Sequence, residues 1–286
     1  MPVDIITCRN ALDLLVKRGL EQDSYSASHL IRGFAASSSL DEARHVFSTL
    51  PIPNIFAWTA IIDAHTKLGR PHKALSLFSH LHAYTDTRPD AHLFVVAIKA
   101  CSALLANGLH KARSIHSQIV EYGYGGNSYI GSALIDMYVK CRSLHNACSV
   151  FNKMSDQDVV SWTATITGYA QQEQQELQEH AFLLYIQMQQ ESILPNKITF
   201  LALLSAIHSP VSMKRGRQIH CQIEAAGMKH DLTMTNTLIH MYANCGKLNM
   251  AQDMFDETVK DNVITWNAMI SGYAKYGRAE ESWELF

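Results

Sequence analysis

The chain has 286 residues, and 47% of them are hydrophobic, enough to bury a sizeable core; its net charge of −2 excludes a broad basic field that holds nucleic acid by phosphate attraction alone. A protein that reads bases remains open. The six cysteines stand apart with no Cys-x-x-Cys pair, which suits reduced thiols, and no apolar run approaches the roughly 18 residues of a membrane span.

Met1–Asp23 reads as the tail of a repeat, with Ala11, Leu12 and Leu15 at helical spacing and Gly19 placed to end that helix. The N-terminus shows neither a secretory core nor an Arg/Ser-rich transit pattern, so a fragment or a processed chain is expected. From Ser24 onward the sequence repeats itself. Trp58, Trp162 and Trp266 lie 104 residues apart, as do Gly19, Gly123 and Gly227, and Phe34, Tyr138 and Tyr242. Ile115-His116-Ser117-Gln118-Ile119 returns as Ile219-His220-Cys221-Gln222-Ile223. Such self-similarity marks a repeat array.

The repeats alternate in length. Ser24–Asn54 has 31 residues, Ile55–Asp90 36, Ala91–Asn127 37, Ser128–Asp158 31, Val159–Asn196 38, Lys197–Asp231 35 and Leu232–Asn262 31; Val263–Phe286 is unfinished. The Gln/Glu-rich lengthening at 171–179 is cancelled by the shorter repeat after it. Each repeat reads as two helices. In Ile55–Asp90 the first carries Trp58, Ile61, Ile62 and His65, an i, i+3, i+4, i+7 stripe, and Gly69-Arg70-Pro71 breaks the pattern before Ala74, Leu77, Phe78 and Leu81. The second stripe recurs at Ala43/Val46/Phe47/Leu50, Ala147/Val150/Phe151/Met154 and Ala251/Met254/Phe255. One such hairpin cannot bury its apolar face alone, so neighbours must stack, and the expected fold is an all-α solenoid of helix-turn-helix repeats. The chain stops at Glu284-Leu285-Phe286 inside a second helix, which predicts truncation or continuation by further repeats.

Three positions in each repeat are candidates for function. The last residue is always Asp or Asn: Asp23, Asn54, Asp90, Asn127, Asp158, Asn196, Asp231 and Asn262. Asx residues also cap helices, and a helix is predicted just afterwards. The fifth residue is Ser28, Thr59, Val95, Ser132, Thr163, Leu201, Asn236 or Asn267. Variation among small hydrogen-bonding side chains at a fixed point, beside a constant apolar stripe, suits a surface that reads something different with each repeat; Thr or Asn early in a helix can also be structural. The second residue is Tyr25, Phe56, His92, Tyr129, Val160, Ile198, Thr233 or Ile264. Burial between hairpins and stacking against flat bases both fit that row.

Residues 263–278, Val-Ile-Thr-Trp-Asn-Ala-Met-Ile-Ser-Gly-Tyr-Ala-Lys-Tyr-Gly-Arg, and 239–248, Ile-His-Met-Tyr-Ala-Asn-Cys-Gly-Lys-Leu, resemble pentatricopeptide repeats, and the resemblance covers essentially the whole chain. The mixed lengths resemble the land-plant subclass of short, standard and long repeats. On that pattern 1–23 is a partial long repeat, those at 24, 128 and 232 are short, those at 55, 159 and 263 standard, and those at 91 and 197 long. The resemblance implies a right-handed α-solenoid that binds single-stranded RNA, one base per repeat, along a shared groove lined by first helices. The second residues would stack on bases while the fifth and last select them. Carried over repeat by repeat, Ser28 with Asn54 implies adenine, Thr59 with Asp90 guanine, Ser132 with Asp158 guanine, Thr163 with Asn196 adenine, and Asn236 with Asn262 a pyrimidine. Val95 (with Asn127) and Leu201 (with Asp231) depart from the readable pattern, and Asn267 lacks its partner. The implied RNA is roughly A-G-x-G-A-x-Y.

The resemblance further implies a mitochondrial or chloroplast RNA-processing factor specifying C-to-U editing sites, with an editing deaminase or other editing factors as partners, and neither DNA nor a membrane. No cofactor, metal or catalytic activity is expected: no histidine begins a His-x-Glu and no Pro-Cys-x-x-Cys occurs, as a zinc deaminase would need. His80-Leu81-His82 is the nearest thing to a metal-ligand pair and reads better as an exposed helix end. The rival class is a peptide- or protein-binding helical-repeat scaffold, against which the 31, 36–38 and 35–37 residue cycle stands, since tetratricopeptide arrays hold 34.

Overall fold

The computed structural model describes residues 5–19, 23–84 (side chains to 81), 88–228, 231–258 and 262–284; the His82 side chain and Leu285–Phe286 lie outside that set. Among the described residues there are helices and no strands. The chain divides into two compact bodies, Met1–Gln157 and Asp158–Phe286.

In the N-terminal body the helices are α1 (Ile5–Lys17), α2 (Ser24–Ala36), α3 (Leu40–Ser48), α4 (Ile55–Lys67), α5 (Pro71–Tyr84), α6 (Ala91–Ala103), α7 (Leu109–Glu121), α8 (Ser128–Lys140) and α9 (Leu144–Lys153). In the C-terminal body they are α10 (Val159–Ala170), α11 (Gln175–Gln190), α12 (Lys197–Ser205), α13 (Met213–Ala225), α14 (Leu232–Asn244), α15 (Leu248–Asp256), α16 (Val263–Lys275) and α17 (Ala279–Glu284). The first helix of each hairpin packs on its own second helix and on the next first helix: α2 on α4, α4 on α6 and α6 on α8 in one body, α10 on α12, α12 on α14 and α14 on α16 in the other. Each body is therefore a solenoid stack with one row of first helices.

The helical stripes of the sequence are the core. Ile61, Ile62, His65, Ala74, Phe78 and Leu81 are all buried, and so are Ala43, Val46, Ala147, Val150, Ala251 and Phe255. Trp58 meets Phe47 edge-on at 4.8 Å between ring centroids, and Trp266 meets Phe255 in the same way. The repeats at 91 and 197 each insert a short 3₁₀ turn between their helices, Leu105–Gly108 and Pro210–Ser212. Gly123 and Gly227 close the helices that follow, at φ of +84° and +73°, where a β-carbon would be strained.

Two of the 104-residue periodicities turn out to be halves of one contact. His116 on α7 pairs its Nδ1 with the Tyr138 hydroxyl on α8 at 2.9 Å, and His220 on α13 pairs with Tyr242 on α14 at 2.8 Å. Both tyrosine rings are buried, and desolvation pushes both phenols up to about 12. The contact ties a second helix to the next first helix and gives a buried hydroxyl its partner.

Candidate nucleic-acid interface

The Asx residue before every first helix is its N-cap. The oxygen of Asn54 accepts from the Ala57 N–H at 2.9 Å, Asp90 from Leu93 at 2.7 Å, Asn127 from Ile130 at 3.1 Å, and Asp158 from Ser161 at 2.8 Å. Asn196 accepts from Thr199 at 3.0 Å, Asp231 from Met234 at 3.0 Å, Asp23 from Ser26 at 2.9 Å, and Asn262 from Ile264 at 2.8 Å. The capping alternative weighed from the sequence is thus realised at all eight positions.

Capping also fixes what remains. With one side-chain oxygen held by the backbone, an Asn offers its Nδ2 donors outward and an Asp its second, accepting oxygen. Asp and Asn then present opposite hydrogen-bonding polarity from the same place. Asp231 is diverted: Lys197 Nζ binds its Oδ2 at 2.7 Å, and this contact, with the cap bond, holds the carboxyl below its usual range.

The second residues are all exposed. Tyr25, Phe56, Tyr129, Val160, Ile198 and Ile264 keep 50–65% of their surface in contact with solvent, and His92 and Thr233 are exposed as well. Burial between hairpins, the alternative for this row, is overturned: the second helical position points away from the neighbouring helix, and each body keeps an edge of large apolar side chains in water.

The fifth residues require the opposite correction. They were expected outside the core on a shared groove, yet Ser28, Thr59, Val95, Ser132, Thr163 and Asn236 are only 2–7% exposed. The cause is helical geometry. Three residues on from the second position, the side chain turns toward the adjacent first helix and is covered by it. Leu201 is half-buried, and Asn267 is exposed. The hydroxyls find local acceptors: Ser28 donates to the Tyr25 carbonyl at 2.7 Å, Thr59 to Ile55 at 2.7 Å and Ser132 to Ser128 at 3.0 Å. Each thereby commits its single proton and keeps only acceptor capacity.

Between α14 and α16 the three rows meet. A cleft of about 450 Å³ is lined by the second residues Thr233 and Ile264, the fifth residues Asn236 and Asn267, and the last residue Asn262, with His240 and Ser271 beside them. Its chemistry is an aliphatic wall beside carboxamides, a surface that can accept an apolar face with polar edges. Two further residues touch this row and were not visible from sequence. Thr199 and Thr265, the third residues of their repeats, hydrogen-bond to Thr163 and Asn236 respectively. His80, of the candidate ligand pair, stacks on Trp58 at 6.0 Å, and no cluster of three His, Cys, Asp or Glu arranged for a metal occurs among the described residues.

Comparison with known proteins gives the following. The PPR repeat model matches residues 56–83, 132–159, 233–263 and 264–286, and the pentatricopeptide repeat domain model matches 155–209. A mitochondrial pentatricopeptide repeat-containing protein of Arabidopsis thaliana is 33% identical over 263 residues, covering 92% of this chain and 41% of the relative. A second from the same plant, also named mitochondrial, is 33% identical over 274 residues, covering 96% of this chain and 48% of its own length. The chain therefore spans less than half of these relatives. Among solved structures, the pentatricopeptide repeat protein PPR10 in complex with an 18-nucleotide psaJ RNA element superposes with a TM-score of 0.78 at 18% identity, covering 98% of this chain and 41% of that one. PPR10 from maize gives 0.76 at 19% identity. These two likenesses establish the solenoid fold.

Proposed function

This chain belongs to the pentatricopeptide repeat family, and we propose that it is the sequence-specific single-stranded RNA-binding module of an organellar RNA-processing factor. The cleft between α14 and α16 carries the reading, because residues from the second, fifth and last positions line it together. In each readable repeat the exposed second residue offers a stacking face to a base, and the fifth and last residues meet its Watson–Crick edge.

The cap geometry supplies the logic of selection. Guanine presents an N1–H donor on that edge and adenine an N1 acceptor. The second oxygen of a capping Asp such as Asp90 suits the first, and the Nδ2 of a capping Asn the second. Thr59 with Asp90 and Ser132 with Asp158 are assigned to guanine, Ser28 with Asn54 and Thr163 with Asn196 to adenine, and Asn236 with Asn262 to a pyrimidine. The long repeats are assigned no preference: Val95 and Leu201 have no polar atom to offer, and Asp231 is occupied by Lys197. The bound RNA is then A-G-x-G-A-x-Y. The near-neutral charge fits recognition through bases more than through phosphates.

For the parent protein we propose C-to-U editing as the output, with an editing deaminase or other editing factors as partners, in a mitochondrion or chloroplast. The mixed repeat lengths and the mitochondrial relatives favour this reading. In vitro selection from a random RNA pool tests it. The expected product is a shared core matching A-G-x-G-A-x-Y, and recovered RNAs without a common sequence would refute the assignment.

A further inference from the structure

The two contacts made by third residues have a common geometry. In the repeat 159–196, Thr163 does not bond back to its own helix as Thr59 does. Its hydroxyl lies 2.8 Å from the hydroxyl of Thr199 on α12. Thr199 Oγ1 also lies 3.1 Å from Asn196 Oδ1 and accepts from the Asn196 N–H at 3.2 Å. One buried hydroxyl therefore touches both members of a base-reading pair.

The Thr199 hydroxyl donates to Asn196 Oδ1, which can only accept. With that proton spent, the Thr163 hydroxyl donates to Thr199 and keeps its own oxygen as an acceptor. Asn196, with Oδ1 bound by both the N–H and the hydroxyl of Thr199, is left with its Nδ2 donors. An acceptor beside a donor complements the N6–H and N1 of adenine and mismatches the O6 and N1–H of guanine. At the next readable repeat, Thr265 on α16 donates to Asn236 Oδ1 at 2.6 Å. That leaves the Asn236 Nδ2 for the cleft, a donor suited to the O2 carbonyl shared by both pyrimidines.

We propose that the third residue of the following repeat is a positioning residue for base selection, with Thr199 orienting the Thr163–Asn196 pair and Thr265 orienting Asn236. The inference rests on the RNA-reading role proposed above and adds a residue to it. It also limits the rule to joints where the third residue's hydroxyl reaches the preceding pair: Ser161, after Ser132 and Asp158, spends its proton on the Asp158 main-chain carbonyl at 2.8 Å. Ala57 and Leu93, which follow the pairs containing Ser28 and Thr59, have nothing to donate.

The test measures dissociation constants of the full chain for synthetic RNAs that carry A, G, C or U at one position of the A-G-x-G-A-x-Y core. For Thr199→Val, the preference for adenine over guanine at the fifth nucleotide is expected to fall about fivefold or more, with the guanine preference at the second nucleotide unchanged. Thr199→Ser keeps the hydroxyl and is expected to keep the preference. If Ser flattens the profile as Val does, lost packing is the cause and the proposal falls. Thr265→Val, read at the seventh nucleotide, repeats the test where the hydroxyl takes no part in a cap. An unaltered preference in both valine variants overturns the inference while leaving the RNA-binding reading intact. A wild-type chain indifferent to the base at every position overturns both.

Discussion

Asp90→Asn separates a cap from a reader. Asp90 Oδ1 accepts the Leu93 N–H at 2.7 Å, and Asn caps helices about as well as Asp, so folding stability should change by less than about 0.5 kcal/mol. The other carboxylate oxygen has no hydrogen bond from any described residue, and the substitution turns that acceptor into a donor. Facing guanine, the variant loses an acceptor for N1–H and sets two donors against each other. Facing adenine, it gains a donor to N1. Each good base contact discriminates by about 1–3 kcal/mol, and about 1.4 kcal/mol is a factor of ten. The guanine-to-adenine preference ratio at the second nucleotide should therefore move about fivefold or more towards adenine, and about thirtyfold or more if both contacts respond. Fluorescence anisotropy titration of paired RNAs differing only there gives the ratio. The ratio, and not either affinity, is the readout, because removing a negative charge raises binding to any RNA. An unchanged ratio beside an unchanged melting curve would mean that Asp90 is a cap and nothing more.

Trp162→Ala should cost roughly 3–5 kcal/mol of stability, since the ring is fully buried in the C-terminal body; a melt indistinguishable from wild type would refute that placement. Acid should destabilise the N-terminal body through His65. Burial, reinforced by Arg44, Arg70 and Lys73, lowers its imidazole to about 4, so the unfolded chain binds the proton first. The stabilisation is complete above about pH 6.5 and drains away as pH falls towards 4, by up to about 3 kcal/mol. Tyrosine stands at the matching positions 169 and 273, so His65→Tyr should flatten this slope in denaturant titrations run from pH 7.5 to 4.5, and a slope as steep as wild type would refute the assignment.

The fold was legible because its signals are local. The stripe through Trp58, Ile61, Ile62 and His65 lies on one face of a helix whatever surrounds it, and an Asx residue before such a stripe caps it by reaching only three residues ahead. Exposure was less legible. The second and fifth residues lie three apart on one helix, yet Tyr25 faces water and Ser28 is buried, because the adjacent first helix covers one and not the other. Thr199 and Thr265 left no signal at all. Their partners lie 36 and 29 residues away, and their type varies from repeat to repeat, with Ala57 and Leu93 at the same position elsewhere. A contact between repeats is written in the pairing of positions and not in the period.

The Thr199 hydroxyl bears on how such arrays can be re-engineered. A cassette cut at Val159 and Asn196 and transplanted elsewhere would bring Thr163 and Asn196 with it but leave the hydroxyl that grips them behind. Grafts whose recipient supplies a serine or threonine three residues past the junction would keep the original grip, whereas grafts ahead of an alanine or leucine would not. The natural boundary for swapping lies after the first turn of the next hairpin.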